Sequence, residues 1–160
     1  MAIQVGDRVP DATLTRMTEN GPAPLTTAEL FGGRKVVLFS VPGAFTPTCS
    51  TKHLPGYVAQ ADAIKAKGVD EIACLAVNDV FVMDAWGRAQ RATGKVLMLA
   101  DGNAELTKKL GLEQDASRHG MGIRGRRFSM IVDDGVVKEL NVEAPGELKV
   151  STAEATACQL

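Results

Sequence analysis

One short stretch concentrates the residues able to do chemistry: Val41-Pro42-Gly43-Ala44-Phe45-Thr46-Pro47-Thr48-Cys49-Ser50. It joins an apolar run, Lys35 to Val41, to a segment with helical spacing, so Cys49 falls in the first turn of the helix that follows. Free N–H groups and the positive end of the helix dipole favour a thiolate over a thiol there, and the thiolate is the nucleophile. Thr46, three residues earlier, carries a hydroxyl that can both donate and accept within reach of the sulfur or of an oxygen bound beside it. Pro42 and Pro47 fix φ at two points, and Pro42 shields the sulfur without adding a competing donor. The chemistry implied is nucleophilic attack by sulfur in a rigid, partly dry pocket. A lone cysteine is most often a packing residue. Here its placement and neighbours argue for reactivity.

The remaining candidates are weaker. Cys74 lies in Ile72-Ala73-Cys74-Leu75-Ala76-Val77, an apolar run expected to be buried on both faces, and reads as an inert core thiol. Cys158 stands near the end of the last predicted helix, where it is the better candidate for a second, resolving thiol. No CxxC pair occurs, which argues against a dithiol oxidoreductase and against a four-cysteine zinc site. His53, four residues after Cys49, shares its helix face and either influences the thiolate or packs and caps locally. With His119 the only other histidine, a metal site is not expected. Gly120-Met121-Gly122-Ile123-Arg124-Gly125 satisfies G-x-G-x-x-G but leads into a strand, not a helix, so no dinucleotide cofactor is expected. Arg124 and Arg126 read as solvated or structural.

The elements that must position these residues alternate. Lys35 to Val41 and Glu71 to Asn78 are apolar on both faces, as central parallel strands are, and Thr46 to Gly68 between them repeats Leu54, Tyr57, Val58, Ala61 and Ile64 at helical spacing. Phe81 to Ala92 predicts a second helix, Val96 to Leu99 a strand and Ala104 to Leu110 a short helix. Arg127 to Val132 and Val136 to Val142 flank Asp133-Asp134-Gly135, a hairpin signal. Ser151 followed by Glu154 predicts a capping box, with a last helix running to about Gln159. The resulting fold class is α/β: a thioredoxin-like domain with an N-terminal extension, its central mixed sheet flanked by helices, in one domain over residues 1–160. In an open parallel sheet, ligands sit beyond the carboxyl ends of the strands, which is where the Cys49 loop lies.

Composition narrows the function classes. Basic and acidic residues nearly cancel, 18 against 19, and only 4% of residues are aromatic, so neither a nucleic acid nor an anionic membrane is an expected partner. No apolar run approaches the length of a membrane span, and Met1 to Val5 lacks the regions of a signal peptide. Three scattered cysteines do not make a secreted disulfide framework. The expectation is a cytoplasmic protein with reduced thiols and a small-molecule substrate.

Pro42, Thr46 and Cys49 reproduce the P-x-x-x-T-x-x-C pattern of peroxiredoxins, and Val-Pro-Gly-Ala-Phe-Thr-Pro-Thr-Cys followed by His53-Leu54-Pro55-Gly56 resembles the peroxiredoxin five or plant type II subfamily. The likeness extends to Ala76-Val77-Asn78-Asp79, to Trp86-Gly87 and to Arg127 through Val137. It implies that Cys49 attacks a hydroperoxide, that Thr46 orients it, that Pro42 shields the sulfur and that Arg127 stabilises thiolate and transition state, with no cofactor. A homodimer whose contact includes Gly43-Ala44-Phe45 and the loop before Arg127 is also implied. Where some relatives carry a resolving cysteine this chain has Val150, so reduction by glutathione with glutaredoxin, or by thioredoxin, is expected. The rival use of the same cysteine is peroxide sensing or a chaperone-like redox role.

Overall fold

A computed structural model describes residues 1–160. The N-terminal extension forms a hairpin of β1 (Thr13–Thr18) and β2 (Gly21–Thr26), followed by α1 (Thr27–Phe31). Helix α1 starts where it does because Thr26 and Glu29 exchange reciprocal hydrogen bonds at its N-terminus. Then come β3 (Lys35–Ser40), α2 (Leu54–Lys65), β4 (Glu71–Ala76), α3 (Val80–Ala89), β5 (Leu97–Ala100) and α4 (Glu105–Leu110), the expected alternation. A separate small hairpin of β6 (Glu113–Asp115) and β7 (Ile123–Gly125) precedes β8 (Phe128–Asp133), β9 (Val136–Val142) and α5 (Ala153–Ala157).

Seven strands form one mixed sheet in the order β2-β1-β5-β4-β3-β8-β9. Strands β3, β4 and β5 are parallel, whereas β8, β9, β1 and β2 add antiparallel pairs at the two sides. The double-sided apolar pattern of the central strands has a direct cause. Val37 and Phe39 of β3 pack with Tyr57 and Ile64 of α2 and with Trp86 of α3, while Val36 and Leu38 point the other way, toward Leu30 of α1 and Leu110 of α4. Both faces are covered, so alternate residues serve two cores. Each fully buried side chain of this size contributes about 1.5–3 kcal/mol.

The sheet register positions the site. Ser40, the last residue of β3, pairs with Phe128, the first of β8, so Arg127 stands beside the loop that leaves β3 toward Cys49. The 78 residues that separate Cys49 from Arg127 in the chain are bridged by this ladder of backbone bonds.

Two expectations need correction at the chain's C-terminal end. Thr152, not Ser151, caps α5, accepting from the Ala155 N–H at 3.0 Å. Ser151 instead gives its hydroxyl to the Glu143 carboxylate at 2.7 Å, because that buried acceptor competes for it. The helix that follows is also shorter than predicted, with Cys158 already at its C-cap. Likewise β4 stops at Ala76, and the Val77 carbonyl is taken by Arg124 at 3.1 Å.

The Asp134-Gly135 turn behaves as read. Both residues have positive φ, 49° and 81°, as a two-residue hairpin turn between right-twisted strands requires. A Cβ at Gly135 would also lie 2.6 Å from Arg8 Nη1. Gly135→Ala is therefore expected to lower stability by about 1 kcal/mol or more, read as a drop in the denaturant midpoint with unchanged slope.

Candidate active site

Helical backbone begins at Pro47 and continues into α2, but its first turn is widened: Cys49–His53 is a π-helical turn in which the Leu54 N–H reaches back to the Cys49 carbonyl. Pro55 supplies the reason. It has no N–H to donate, and its ring collides with the carbonyl one α-turn earlier, so a regular α ladder cannot pass this point. Pro47 suits the first helical position, where its missing N–H costs nothing. Cys49 is thus in the first turn, as its spacing predicts, and the widened turn is pinned from outside by Trp86 Nε1, which donates to Ser50 Oγ at 3.0 Å.

Arg127 meets the sulfur. Its Nη2 donates to Cys49 Sγ at 3.1 Å, and its Nη1 donates to His53 Nδ1 at 2.8 Å. An arginine only donates, so Nδ1 must carry a lone pair and the imidazole proton sits on Nε2, which donates to the Ser151 carbonyl at 2.9 Å. Burial holds the His53 pKa down to about 4, opposed by the Ser151 hydrogen bond and assisted by the Arg127 charge. The ring is therefore neutral at pH 7. Arg127 also forms no ion pair, and this matters electrostatically. A neutral acceptor orients the guanidinium without cancelling its charge, which remains directed at the sulfur.

Thr46 donates its hydroxyl proton to the Gly43 carbonyl at 2.6 Å, leaving its oxygen lone pairs to accept from an incoming O–H. Cys49 is fully buried. A cavity of about 90 Å³ is lined by Pro42, Thr48, Arg126, Arg127 and the Glu143–Glu147 segment, and reaches Cys49 only through Arg127. Roomier hollows of about 330 Å³ and about 560 Å³ elsewhere include none of Pro42, Thr46, Cys49 or Arg127. The small cavity borders Pro42 and Arg127, and its size suits a molecule little larger than water.

The structure therefore brings Arg127 onto Cys49, with Pro42 on the cavity wall that Arg127 also lines and Thr46 three residues before Cys49, its hydroxyl on Gly43. Cys74 is fully buried in β4, where burial pushes its thiol well above the ordinary range. Cys158 is exposed at the end of α5, and all three cysteines are free. Arg124 has a structural task, holding the Met121 and Val77 carbonyls at 2.9 and 3.1 Å. Gly120 and Gly122 adopt positive φ, 70° and 67°, in the loop between β6 and β7, and the segment leads into a strand. Sequence reasoning left the role of His53 open and missed Ser151 and Glu143; only the four-residue spacing from Cys49 pointed toward His53. No helix is long and apolar enough to cross a membrane.

Comparison with known proteins identifies the family. The Redoxin family model matches residues 4–156. The chain is 53% identical over 157 residues to "Peroxiredoxin-2E-2, chloroplastic" of Oryza sativa subsp. japonica, covering 95% of this chain and 70% of that one. It is 50% identical over 153 residues to "Peroxiredoxin-2B" of Arabidopsis thaliana, covering 95% and 94%. The crystal structure of reduced Prx3 in complex with H2O2 from Vibrio vulnificus superposes with a TM-score of 0.95 at 55% identity, covering 98% of each chain.

The buried neutral imidazole has a consequence for acid stability. An unfolded chain binds the His53 proton below about pH 6.5, whereas the folded chain refuses it until about pH 4. Protons thus favour the unfolded state between these values, and stability falls as pH drops through that window at up to about 1.4 kcal/mol per pH unit. Denaturant midpoints measured from pH 7 to pH 4 are expected to show this slope, and His53→Gln to flatten it.

Proposed function

We propose, from the premise that the chain belongs to the redoxin family and within it to the plant type II peroxiredoxins, that Cys49 is the residue its peroxidase activity runs through. The protein is a thiol-dependent peroxidase, with a hydroperoxide as substrate and a thiol as reductant. The observation that carries the assignment is the Arg127 guanidinium, 3.1 Å from a sulfur in the first turn of a helix and paired with no carboxylate.

In this reading the Cys49 thiolate attacks one peroxide oxygen in line with the O–O bond. An S–O bond forms as the O–O bond breaks, two electrons pass from sulfur, and the departing oxygen takes a proton and leaves as water or an alcohol. Cys49 is left as a sulfenic acid. Thr46, with its own proton on Gly43, accepts the peroxide O–H and aims it. Arg127 stabilises the thiolate first and then the negative charge that moves onto the leaving oxygen. Pro42, lining the cavity, keeps water and rival donors off the sulfur. No metal or organic cofactor enters the cycle.

Reduction then falls to an external thiol, glutathione with glutaredoxin or thioredoxin itself. Val150 stands where some relatives place a resolving cysteine, and the complete burial of Cys74 makes it a poor substitute. Free thiols throughout support a reducing compartment such as the cytoplasm. A second copy of the chain is the partner for Phe45 and Phe81, apolar residues 56% and 65% exposed on the Cys49 loop and the start of α3. One domain over residues 1–160 carries the whole activity.

Cys49→Ser is expected to abolish peroxide consumption supported by glutaredoxin and glutathione or by thioredoxin; wild-type turnover in that variant would refute the assignment. Arg127→Gln is expected to lower the rate constant for peroxide about 100-fold while the chain stays folded. After one equivalent of peroxide, disulfide mapping by mass spectrometry should find no intramolecular bond; a Cys49 to Cys158 link would replace the external route.

A further inference from the structure

Glu143, one residue beyond β9, is a buried carboxylate with only 3% of its surface exposed and no cationic partner. Burying a charge this way is costly unless hydrogen bonds replace the lost water. Four do, all on one oxygen: Oε2 accepts from the backbone N–H groups of Lys149, Val150 and Ser151 at 2.8, 2.8 and 2.7 Å and from Ser151 Oγ at 2.7 Å. Burial pushes the Glu143 carboxyl up, but these bonds outweigh it and hold the group below the usual carboxylate range. Nothing in the peroxidase chemistry described above uses this charge.

The hydrogen bonds around Glu143 close on the active site. Its own N–H donates to the Arg127 carbonyl at 2.9 Å. From its carboxylate the path runs to Ser151, whose carbonyl accepts from His53 Nε2 at 2.9 Å, and from His53 Nδ1 it returns to Arg127 Nη1 at 2.8 Å. The ring thus begins and ends on Arg127, one end at its backbone and the other at the guanidinium that touches Cys49 Sγ. Tyr57 Oη also donates to the Ser151 carbonyl, at 2.8 Å. Apart from these ties, Ala144 to Glu147 and Lys149 to Val150 lie exposed.

We infer that Glu143 is a positioning residue for the peroxidase reaction, acting through Ser151 and His53 to hold the Arg127 guanidinium on the Cys49 sulfur. The inference rests on the roles proposed for Cys49 and Arg127. An imidazole can carry its proton on either nitrogen, and only the Nε2–H form leaves Nδ1 able to accept from arginine. A carbonyl facing Nε2 selects that form. The carbonyl stays in place because the Ser151 N–H and hydroxyl are both fastened to one anionic oxygen, and charged acceptors bind about twice as strongly as neutral ones. A neutral amide at this position keeps the size of the side chain but loses the strength of the anchor. The His53 ring then loses its fixed acceptor, and Arg127 loses its fixed partner.

The test is Glu143→Gln in the full chain, with peroxide oxidation of Cys49 and its alkylation by iodoacetamide followed against pH. The expected result is an oxidation rate about tenfold lower at neutral pH, the effect of weakening one charge-assisted hydrogen bond, with the alkylation profile displaced to higher pH. In a His53→Phe background the same substitution should change either rate by less than about twofold, since the path is already cut. A folded Glu143→Gln chain with the wild-type rate and profile would overturn the inference. So would an undiminished tenfold loss in the His53→Phe background. If Glu143→Gln does not fold, Ser151→Ala carries the same test, with a loss of about threefold expected and a wild-type rate overturning it. Activity surviving in Cys49→Ser would instead defeat the assignment of Cys49 itself, which separates the two failures.

Discussion

The site depends on one guanidinium shared between two acceptors. Arg127 gives one terminal nitrogen to the Cys49 sulfur and the other to a histidine nitrogen, and it pairs with no carboxylate. A carboxylate partner would have held the arginine as firmly and neutralised most of its field. A neutral imidazole holds it and leaves the charge free to act on sulfur. The requirement that the imidazole be neutral in turn demands burial, which His53 has, and a single tautomer, which the Ser151 carbonyl enforces.

Much of the surrounding architecture follows from meeting these demands at once. The widened turn at Cys49–His53 brings sulfur and imidazole to the same guanidinium, and Pro55 makes a regular turn impossible there. Phe39 stacks on Tyr57 at 3.9 Å between ring centres and lies 5.0 Å from the His53 ring, walling the imidazole with apolar surface from the central strand. Pairing of β3 with β8 delivers Arg127 from the opposite side. The core and the candidate site therefore share residues. The buried imidazole that accepts from the arginine is also the group whose pKa burial lowers.

Local signals carried a large part of the outline. The alternation of strands and helices, the Asp134-Gly135 turn and the position of Cys49 at a helix start are all encoded within a few residues of where they act. The last helix shows where local reading fails. Ser151 and Glu154 have the spacing of a capping box, yet a buried carboxylate eight residues before Ser151 draws its hydroxyl away and the cap passes to Thr152. A tertiary acceptor outcompeted a local one.

By itself, the sequence determined that a cysteine stands close to Thr46 and two prolines in the first turn of a helix, after a central strand, because spacing and backbone preference suffice for that. Likeness to a known family singled out Arg127. Only the tertiary structure decided how that arginine is held: its contacts to Cys49 and His53 span 78 and 74 residues, and the His53 contact to Ser151 spans 98. Hydrogen bonds of that reach leave no periodic mark in a chain. They exist because a seven-stranded sheet folds distant segments onto one edge of one loop, and there the direction of a single imidazole proton fixes which groups can pair.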